Sequence, residues 1–212
     1  MEYRKNDIVT LEIVDCGTDG EGIGKADGFT VFVKDAVIGD TVTAKIMKAK
    51  KNYGYGRLME ILNPSPYRVE PVCPSARQCG GCQLQAVSYE EQKVFKEKKL
   101  RGHLERIGGF RDLPMEPLIG MDEPYHYRNK AQFPVGRNKE GRIITGFYAG
   151  RTHAIIENRD CALGIPQNKE ILDIVIAHME KYGMAPYDEM TGKGLVRHIF
   201  VRYGFFTGEL MV

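Results

Sequence analysis

Three cysteines within ten residues constrain this chain more than any other feature. Cys73, Cys79 and Cys82 follow the spacing C-x5-C-x2-C, and Gly80 and Gly81 separate the last two. Because glycine accepts the positive φ angles of tight turns, both thiols of that pair can face one centre. The loop therefore predicts a site for a metal ion or metal cluster, with Cys161 as a fourth ligand from a distant segment.

A set of disulfides or a group of reduced core thiols would also place cysteines close together. Disulfides are disfavoured because the first seven residues show no secretory signal, and three thiols so close together are unusual for core packing. The metal stays open, since zinc ribbons usually use two C-x2-C pairs and a three-plus-one arrangement also suits a cubane iron–sulfur cluster. The fifth cysteine, Cys16, is expected to be a small buried residue.

Composition places the chain among globular proteins. Hydrophobic residues make up 42% and charged residues 27% of the sequence, and no apolar stretch reaches membrane-spanning length. We expect a cytoplasmic protein that does not enter a membrane. The net charge of +2 is too small to indicate nucleic-acid binding by itself, so local charge has to decide that question.

Local charge is uneven in two stretches. Residues 41–59 contain five basic residues and no acid, and residues 125–153 contain six Lys or Arg against one acid. Both stretches also contain aromatic residues, and the combination is typical of RNA-binding surfaces, because basic groups neutralise phosphates and flat rings stack on unpaired bases. A solvated face beside ordinary strand aromatics is the alternative. The predicted RNA contacts are Lys45, Lys48, Lys50, Lys51, Tyr53, Arg57, Arg128 and Lys130.

The N-terminal third predicts a small barrel. Apolar and polar residues alternate in residues 8–14, 29–33, 40–46 and 57–62, with glycine turns between them, and short strands at this spacing indicate a closed barrel of the oligonucleotide-binding kind. The run Gly20–Gly24 resembles a phosphate-binding loop. A strand and not a helix follows it, so we interpret it as a β-turn.

The rest of the chain predicts a mixed α+β domain after a proline-rich connector at residues 64–72. Ser88 and Glu91 form a capping box that begins a helix, and its stripe of Leu100, Leu104 and Ile107 is expected to face a core. Further strands are predicted at residues 131–135, 142–148, 153–157, 196–203 and 209–212, with a helix from Pro166 to Gly183. The fold class is therefore β-rich α+β. The last strand stops inside an apolar run, so we expect a fragment of a longer protein.

These motifs together resemble a known family. Residues 20–61 are similar to a TRAM domain, a small RNA-binding barrel. The remainder resembles the central domain of the RNA (uracil-5-)-methyltransferases. The matching motifs are Cys73-x5-Cys79-Gly80-Gly81-Cys82-Gln83-x-Gln85, Tyr89-x-x-Gln92-Lys93, Tyr127-Arg128-Asn129-Lys130 and Asp160-Cys161.

The resemblance implies a domain order and cofactors. It implies a TRAM RNA-binding barrel at 1–63, a linker at 64–72 and an iron–sulfur central domain at 73–212 that is incomplete at its C-terminus. It implies a 4Fe-4S cluster held by Cys73, Cys79, Cys82 and Cys161. The order is that of the branch that modifies 23S rRNA, because the tRNA branch is expected to lack both TRAM and cluster. A monomer is expected.

The family's chemistry requires S-adenosylmethionine (SAM), a cysteine nucleophile and a carboxylate base, which lie in a C-terminal domain. No strand, glycine loop and helix unit for SAM occurs in this sequence, so no residue here is assigned a catalytic role. We expect the RNA-binding part of a methyltransferase. The alternative is a stand-alone RNA-binding iron–sulfur or zinc protein. A radical-SAM methylthiotransferase fits less well, since its cluster motif is C-x3-C-x2-C and its TRAM domain is C-terminal.

Overall fold

The computed structural model describes residues 3–212, which divide into two compact units. The first unit contains the chain up to Pro71 together with Gln83–Gly120. The second contains Val72–Cys82 and Met121–Val212. Each unit has its own hydrophobic core. No helix among the described residues is long and apolar enough to cross a membrane.

A closed five-stranded barrel forms the first part of the first unit. Its strands pair in the order β1-β2-β3-β5-β4, and β4 closes the barrel against β1. All pairs are antiparallel except β3 with β5. The predicted barrel is confirmed, with strands at β1 (Ile8–Cys16), β2 (Gly22–Ala26), β3 (Phe29–Lys34), β4 (Thr41–Ala49) and β5 (Tyr53–Asn63).

Alternation of side chains fills the barrel. Every second residue of β1 points inward, so Val9, Leu11 and Ile13 are buried while the polar residues between them face solvent. The same pattern in β3 and β4 buries Val31, Val33, Val42, Ala44 and Ile46. The turn between β2 and β3 is Asp27-Gly28, both at positive φ, the geometry of a two-residue hairpin.

The glycine run at residues 20–24 differs from its prediction. It is not only a turn, because Gly22 begins strand β2. A Cβ on Gly24 would lie 2.3 Å from the Glu12 carbonyl oxygen, so glycine is required here by the close approach of β1. The segment continues as a strand and not as a helix, which confirms that it is no phosphate-binding loop.

The proline-rich connector pairs with a later segment of the same unit. The Val69 amide donates to the Ala86 carbonyl at 2.9 Å, and the Ser88 amide donates to the Tyr67 carbonyl at 2.9 Å. These bonds place residues 83–88 with the barrel, although the sequence assigned them to the second domain. The division of the chain into compact units therefore agrees with these hydrogen bonds between the connector and residues 86–88. The predicted domain boundary at residues 64–72 stays a prediction.

Helix α1 (Tyr89–Arg106) begins where the sequence predicts but is held differently. The Ser88 side chain makes no capping hydrogen bond, so the predicted capping box is wrong. The Gln92 side-chain amide instead donates to the Leu84 and Val87 carbonyls, which ties the first turn of the helix to the preceding loop. No residue of α1 is buried, and Leu100 is 53% exposed. The predicted core face is therefore wrong as well.

The second unit is an antiparallel sheet covered by one helix. The strand order is β10-β9-β6-β7-β8, with β6 at the centre. Helix α2 (Gln167–Lys181) buries Leu172, Ile176 and Met179 in the core of this unit. The predicted elements are confirmed with shifted ends, and the strands are β6 (Lys130–Arg137), β7 (Ile143–Tyr148), β8 (Ile155–Glu157), β9 (His198–Tyr203) and β10 (Leu210–Met211). The β-rich α+β class is confirmed at this level.

Candidate nucleic-acid interface and cysteine loop

The outer wall of the barrel carries three aromatic rings in contact. Strands β3 and β5 run parallel with Phe32 opposite Tyr55 and Thr30 opposite Tyr53. Because Val31 and Val33 point into the core, Phe32 between them points outward. Side chains also alternate in the Tyr53-Gly54-Tyr55-Gly56 sequence, where both glycines are buried and both tyrosines are exposed.

We call Phe32, Tyr53 and Tyr55 the aromatic platform. Their ring centroids lie 5.6 Å apart for Phe32 and Tyr55, and 5.8 Å apart for each of the other two pairs. Tyr53 and Tyr55 remain 37% and 39% exposed. The rings support one another and still offer open surface, which is what stacking on an unpaired base requires.

Basic residues lie beside the platform on the same wall. Lys34 of β3 pairs with Arg57 of β5, which pairs in turn with Lys45 of β4. Lys48 pairs with Tyr55, and the backbone amide of Lys50 donates to the Tyr53 carbonyl at 2.8 Å in the turn that leads to β5. The fold therefore brings together six of the predicted RNA contacts, namely Lys45, Lys48, Lys50, Lys51, Tyr53 and Arg57.

Sequence reasoning missed Phe32 and Lys34 as members of this surface, and it identified Tyr55 only as an aromatic residue within the basic stretch at residues 41–59. The signal was present for Phe32 and Lys34, because residues 29–33 alternate and so place positions 30, 32 and 34 on one face. No local pattern in the sequence indicates that these residues pair with Tyr53 and Tyr55, since the parallel register of β3 and β5 joins segments more than twenty residues apart.

The other two predicted RNA contacts belong to the second unit. Arg128 donates its backbone amide to the Leu163 carbonyl at 2.8 Å. Lys130 begins β6 opposite Arg202 of β9, and both line an open groove of about 780 Å³. Lys130 and Arg202 therefore form a separate basic pair on the surface of the second unit.

Backbone hydrogen bonds hold the cysteine loop in its conformation. The Ala76 amide donates to the Cys73 carbonyl, and the Cys79 amide donates to the Ser75 carbonyl at 2.8 Å. The Gly80 amide then donates to the Tyr148 carbonyl at the end of β7, which fixes the loop to the sheet of the second unit. Cys73 and Cys79 are buried, and Cys82 and Cys161 are half-buried. None of the five cysteines forms a disulfide in the structure.

Two thiols of the loop accept hydrogen bonds. The Asn158 side-chain amide donates to Cys73 Sγ at 3.4 Å, and the Gly81 amide donates to Cys79 Sγ at 3.4 Å. Burial raises the pKa of Cys79, the Gly81 bond lowers it, and the neighbouring thiols Cys161 and Cys73 raise it further. These interactions place Cys73, Cys79 and Cys161 in one neighbourhood, although they are far apart in sequence.

The arrangement does not by itself form a metal site. Among residues 3–212, no group of three or more His, Cys, Asp or Glu side chains is placed to hold a metal ion. The donor set does suit a cluster chemically, because soft thiolates with N–H···S bonds are typical of iron–sulfur ligation. The assignment of Cys73, Cys79, Cys82 and Cys161 as ligands therefore stays a prediction.

Cys16 lies apart from the loop, at the end of β1. Cys16 was predicted to be buried, but it is only half-buried. Its thiol donates to the Gly17 carbonyl at 3.6 Å. Burial raises the pKa of Cys16 to about 11, with nearby Lys99 opposing the shift. The thiol is therefore neutral at physiological pH.

Alkylation tests this shift. With a pKa near 11, about one Cys16 thiol in a thousand is ionised at pH 8, against about a quarter for an ordinary cysteine. We expect slow reaction with iodoacetamide at pH 8 and about a tenfold faster reaction for each pH unit up to pH 10. Mass spectrometry of the Cys16 peptide follows the rate, with protein in guanidinium chloride as control. Equal rates in native and denatured protein would show that the fold does not protect this thiol.

Comparison with known proteins agrees with the barrel. Residues 4–59 match the TRAM domain family, so the predicted TRAM barrel is confirmed in this segment. A relative from Clostridium tetani, named an uncharacterized RNA methyltransferase, is 45% identical over 212 residues, which is 100% of this chain and 46% of the relative. A relative of the same description from Halalkalibacterium halodurans is 44% identical over 99% of this chain and 45% of its own length. The chain thus spans about half the length of the curated relatives it matches.

A solved structure shares the fold. The tRNA (uracil-54, C5)-methyltransferase of Pyrococcus abyssi, in complex with S-adenosyl-L-homocysteine, superposes with a TM-score of 0.67. It is 24% identical in sequence, and the match covers 95% of this chain and 44% of that one.

Proposed function

We propose that this chain is the RNA-binding part of a SAM-dependent RNA methyltransferase that forms 5-methyluridine. The observation that carries the proposal is the aromatic platform with basic residues beside it on the wall of a TRAM barrel. Relatives that match the whole chain and are named RNA methyltransferases support the reaction class.

The barrel's contribution is to hold unpaired RNA. Bases stack on the exposed faces of Tyr53 and Tyr55, and the basic residues beside these rings neutralise the phosphates that follow, namely Lys45, Lys48, Lys50, Lys51 and Arg57. Flat rings accept any base, so this surface supplies affinity and orientation more than sequence selection. Single-stranded loops of a folded RNA fit such a surface better than an A-form duplex, whose bases are stacked away.

The RNA class proposed is 23S ribosomal RNA, on the combined presence of the TRAM barrel and the cysteine loop. Domain order alone does not separate the two branches, because a structure described as a tRNA methyltransferase has the same fold over 95% of this chain. The expectation that the tRNA branch has a different organisation is therefore too simple. Transfer RNA is the competing substrate, and both RNAs belong in the test.

Methyl transfer itself is proposed to lie outside these residues. The donor proposed is SAM, as the S-adenosyl-L-homocysteine bound to the Pyrococcus enzyme supports. We assign no catalytic role to any of the 212 residues, and the protein is proposed to act as a cytoplasmic monomer. Incubating the complete gene product with labelled SAM and unmodified 23S rRNA or tRNA tests the reaction, and failure to label uridine in either RNA would contradict it.

Salt dependence tests the RNA surface of this chain. We expect affinity for single-stranded RNA to fall steeply with salt, because bound phosphates displace counterions. Charge reversal at Lys48, Lys50 and Lys51 should flatten the log–log slope by about 2, at about 0.7 for each phosphate contact on a single strand. The matched control reverses Lys139, Lys181 and Lys193, which are exposed in the second unit. Equal losses in both triple variants would show that net charge, and not this surface, governs binding.

We also propose that Cys73, Cys79, Cys82 and Cys161 hold a 4Fe-4S cluster. Anaerobically purified protein is then expected to be brown, because iron–sulfur charge transfer absorbs across the visible range and zinc does not. Cys79→Ser and Cys161→Ser should lose the colour and the iron. Cys16→Ser should keep both, since Cys16 lies in the first unit. Colourless protein with stoichiometric zinc would favour the zinc alternative, and full iron in Cys161→Ser would refute the fourth ligand.

A further inference from the structure

The hairpin formed by β9 and β10 carries two exposed phenylalanines at its tip. Phe205 is 75% exposed and Phe206 is 97% exposed, and their ring centroids lie 5.3 Å apart. Rings so exposed add little to the stability of the fold, because apolar surface stabilises a protein only where it is removed from water. An adjacent pair of large exposed rings is instead a feature of binding surfaces.

Hydrogen bonds hold this tip in one conformation. The Gly204 amide donates to the Glu209 carbonyl at 2.8 Å, and the Gly208 amide donates to the Gly204 carbonyl at 2.7 Å. Gly208 has a φ of 71°, the left-handed conformation that glycine accepts without strain. The Glu209 amide also donates to Thr207 Oγ1 at 3.3 Å. A closed turn therefore presents the two rings, so a ligand does not first have to order a loose loop.

The strands behind the tip have one open face. Residues directly opposite each other in a sheet point to the same side, so Lys130, Arg202 and Met211 form one row. Gln132 and Phe200 form the next row on that side. The residues between them point to the other side and are buried in the core with helix α2, namely Ala131, Phe133, Ile199 and Val201. Lys130, Gln132 and Arg202 are exposed, so this part of the sheet faces solvent.

The charge on this face favours a polyanion. Lys130 and Arg202 line the groove of about 780 Å³ at the base of the hairpin, and neither forms an ion pair with another of residues 3–212. The Arg202 guanidinium lies 5.9 Å from the centroid of the Phe200 ring. Among the described residues that line the groove, Glu209 is the one carboxylate, so the cations outnumber it. Free cations beside exposed rings are typical of surfaces that bind single-stranded nucleic acid.

We propose that this hairpin is a wedge for RNA. Phe205 and Phe206 insert between neighbouring bases of an unpaired loop, and Lys130 and Arg202 bind the adjoining phosphates. Apolar side chains inserted at a base step unstack it. An enzyme that modifies a base has to take that base out of its stack, so a wedge prepares the RNA for the reaction. The inference rests on the proposed RNA binding and adds to it a second contact that unstacks bases.

The experiment uses an RNA stem-loop with 2-aminopurine in its loop, because the fluorescence of this base rises when it leaves its stack. Binding of the whole chain should raise the fluorescence. Phe205→Ala combined with Phe206→Ala should abolish the rise and weaken binding about tenfold, the scale of stacking on an aromatic ring. Phe110→Ala is the matched control, since it removes a ring that is 53% exposed in the first unit, and it should change neither quantity. Circular dichroism during heating should give all variants the melting temperature of the wild type, because the substituted rings are exposed.

Substitutions in the groove test the phosphate contact. Lys130→Gln should weaken binding several-fold and flatten the log–log salt slope by about 0.7, the value for one phosphate contact on a single strand. Lys139→Gln removes an exposed lysine of the same unit that does not line the groove, and it should have little effect. Glu209→Gln should strengthen binding, because its carboxylate repels phosphate. Unchanged affinity in both Lys130→Gln and Glu209→Gln would overturn the phosphate contact.

The outcomes separate the hairpin from the barrel. Tyr53→Ala combined with Tyr55→Ala should keep the fluorescence rise once the RNA is saturated, since the wedge remains. Loss of the rise in that variant, no rise with wild type, or an equal rise in the phenylalanine double variant would overturn the wedge and leave RNA binding by the barrel intact. Loss of self-association in the phenylalanine double variant, with RNA affinity unchanged, would overturn the wedge by showing that the tip contacts protein. Absence of binding to any RNA at low salt would overturn both proposals.

Discussion

Asp40→Asn is expected to destabilise the first unit by about 3–5 kcal/mol, the cost of breaking a buried ion pair by removing one charge. The Asp40 side chain is fully buried and accepts two bonds from Arg68, at 3.0 Å to Nε and 2.5 Å to Nη2. It also accepts the backbone amides of Val37 and Ser65, at 2.7 and 2.9 Å. Asparagine would leave the guanidinium, which is 18% exposed, without its anion.

The pair holds the barrel to the connector. Asp40 lies in the turn before β4, and Arg68 lies in the segment after β5 that pairs with residues 86–88. Loss of the charge should therefore loosen residues 64–71 and the later segment bonded to them. At about 2–4 °C per kcal/mol for a chain of this size, the melting temperature should fall by about 6–20 °C.

The pH dependence has a definite sign. Burial would raise the pKa of Asp40, but the bonds from Arg68 and from the Ser65 and Val37 amides outweigh it and hold the pKa below its usual range. A lowered pKa means that the stabilisation is present above the unfolded value of about 4 and is lost as pH falls through the folded value. Wild-type protein should therefore lose more stability than Asp40→Asn as the pH falls below about 4.

Two controls separate the buried pair from a general effect of charge. Asp173→Asn removes a carboxylate that also bonds two cations, Lys169 and Arg159, but lies on the surface, and should lower the melting temperature much less than Asp40→Asn does. Arg68→Met combined with Asp40→Asn should recover part of the loss, because no charge is then left buried. Equal melting temperatures for Asp40→Asn and Asp173→Asn would contradict a special role for this pair.

Local patterns in the sequence predict most of the strands of this fold. Alternation over residues 8–14 and 29–33 fixes which side chains enter the barrel, and Pro166 with Gly183 brackets the second helix. These are properties of neighbouring residues. The Asp40–Arg68 pair joins a turn to a connector 28 residues away, and composition marks neither residue as buried.

Helix α1 shows why patterns also mislead. Leu100, Leu104 and Ile107 share a face, and such a stripe is usually buried, yet that rule assumes that some element covers the face. In the described residues the helix instead turns Phe95 and Lys99 toward the barrel across a cavity. Periodicity gives the relative directions of side chains, and only tertiary packing decides which direction faces protein.

Double substitution of Tyr53 and Tyr55 with alanine is expected to cause the largest loss of RNA affinity. Stacking on a ring is worth about 1–3 kcal/mol per base, so each tyrosine should contribute about 5- to 150-fold in Kd. The two rings also brace Phe32, so the double variant should lose more than the sum of the single variants. Titration of an unstructured oligoribonucleotide with each variant measures these losses.

Salt separates this effect from electrostatics. Removing neutral rings should lower affinity at every salt concentration and leave the slope of log Kd against log salt unchanged, because no phosphate contact is lost. Charge reversals on Lys48, Lys50 and Lys51 should instead change the slope. Tyr182→Ala provides a matched control, since Tyr182 is an exposed ring beside Lys181 in the second unit. If the double variant flattened the salt slope or bound RNA as tightly as Tyr182→Ala, the exposed tyrosines would not be stacking surfaces, and the barrel would bind RNA through charge alone.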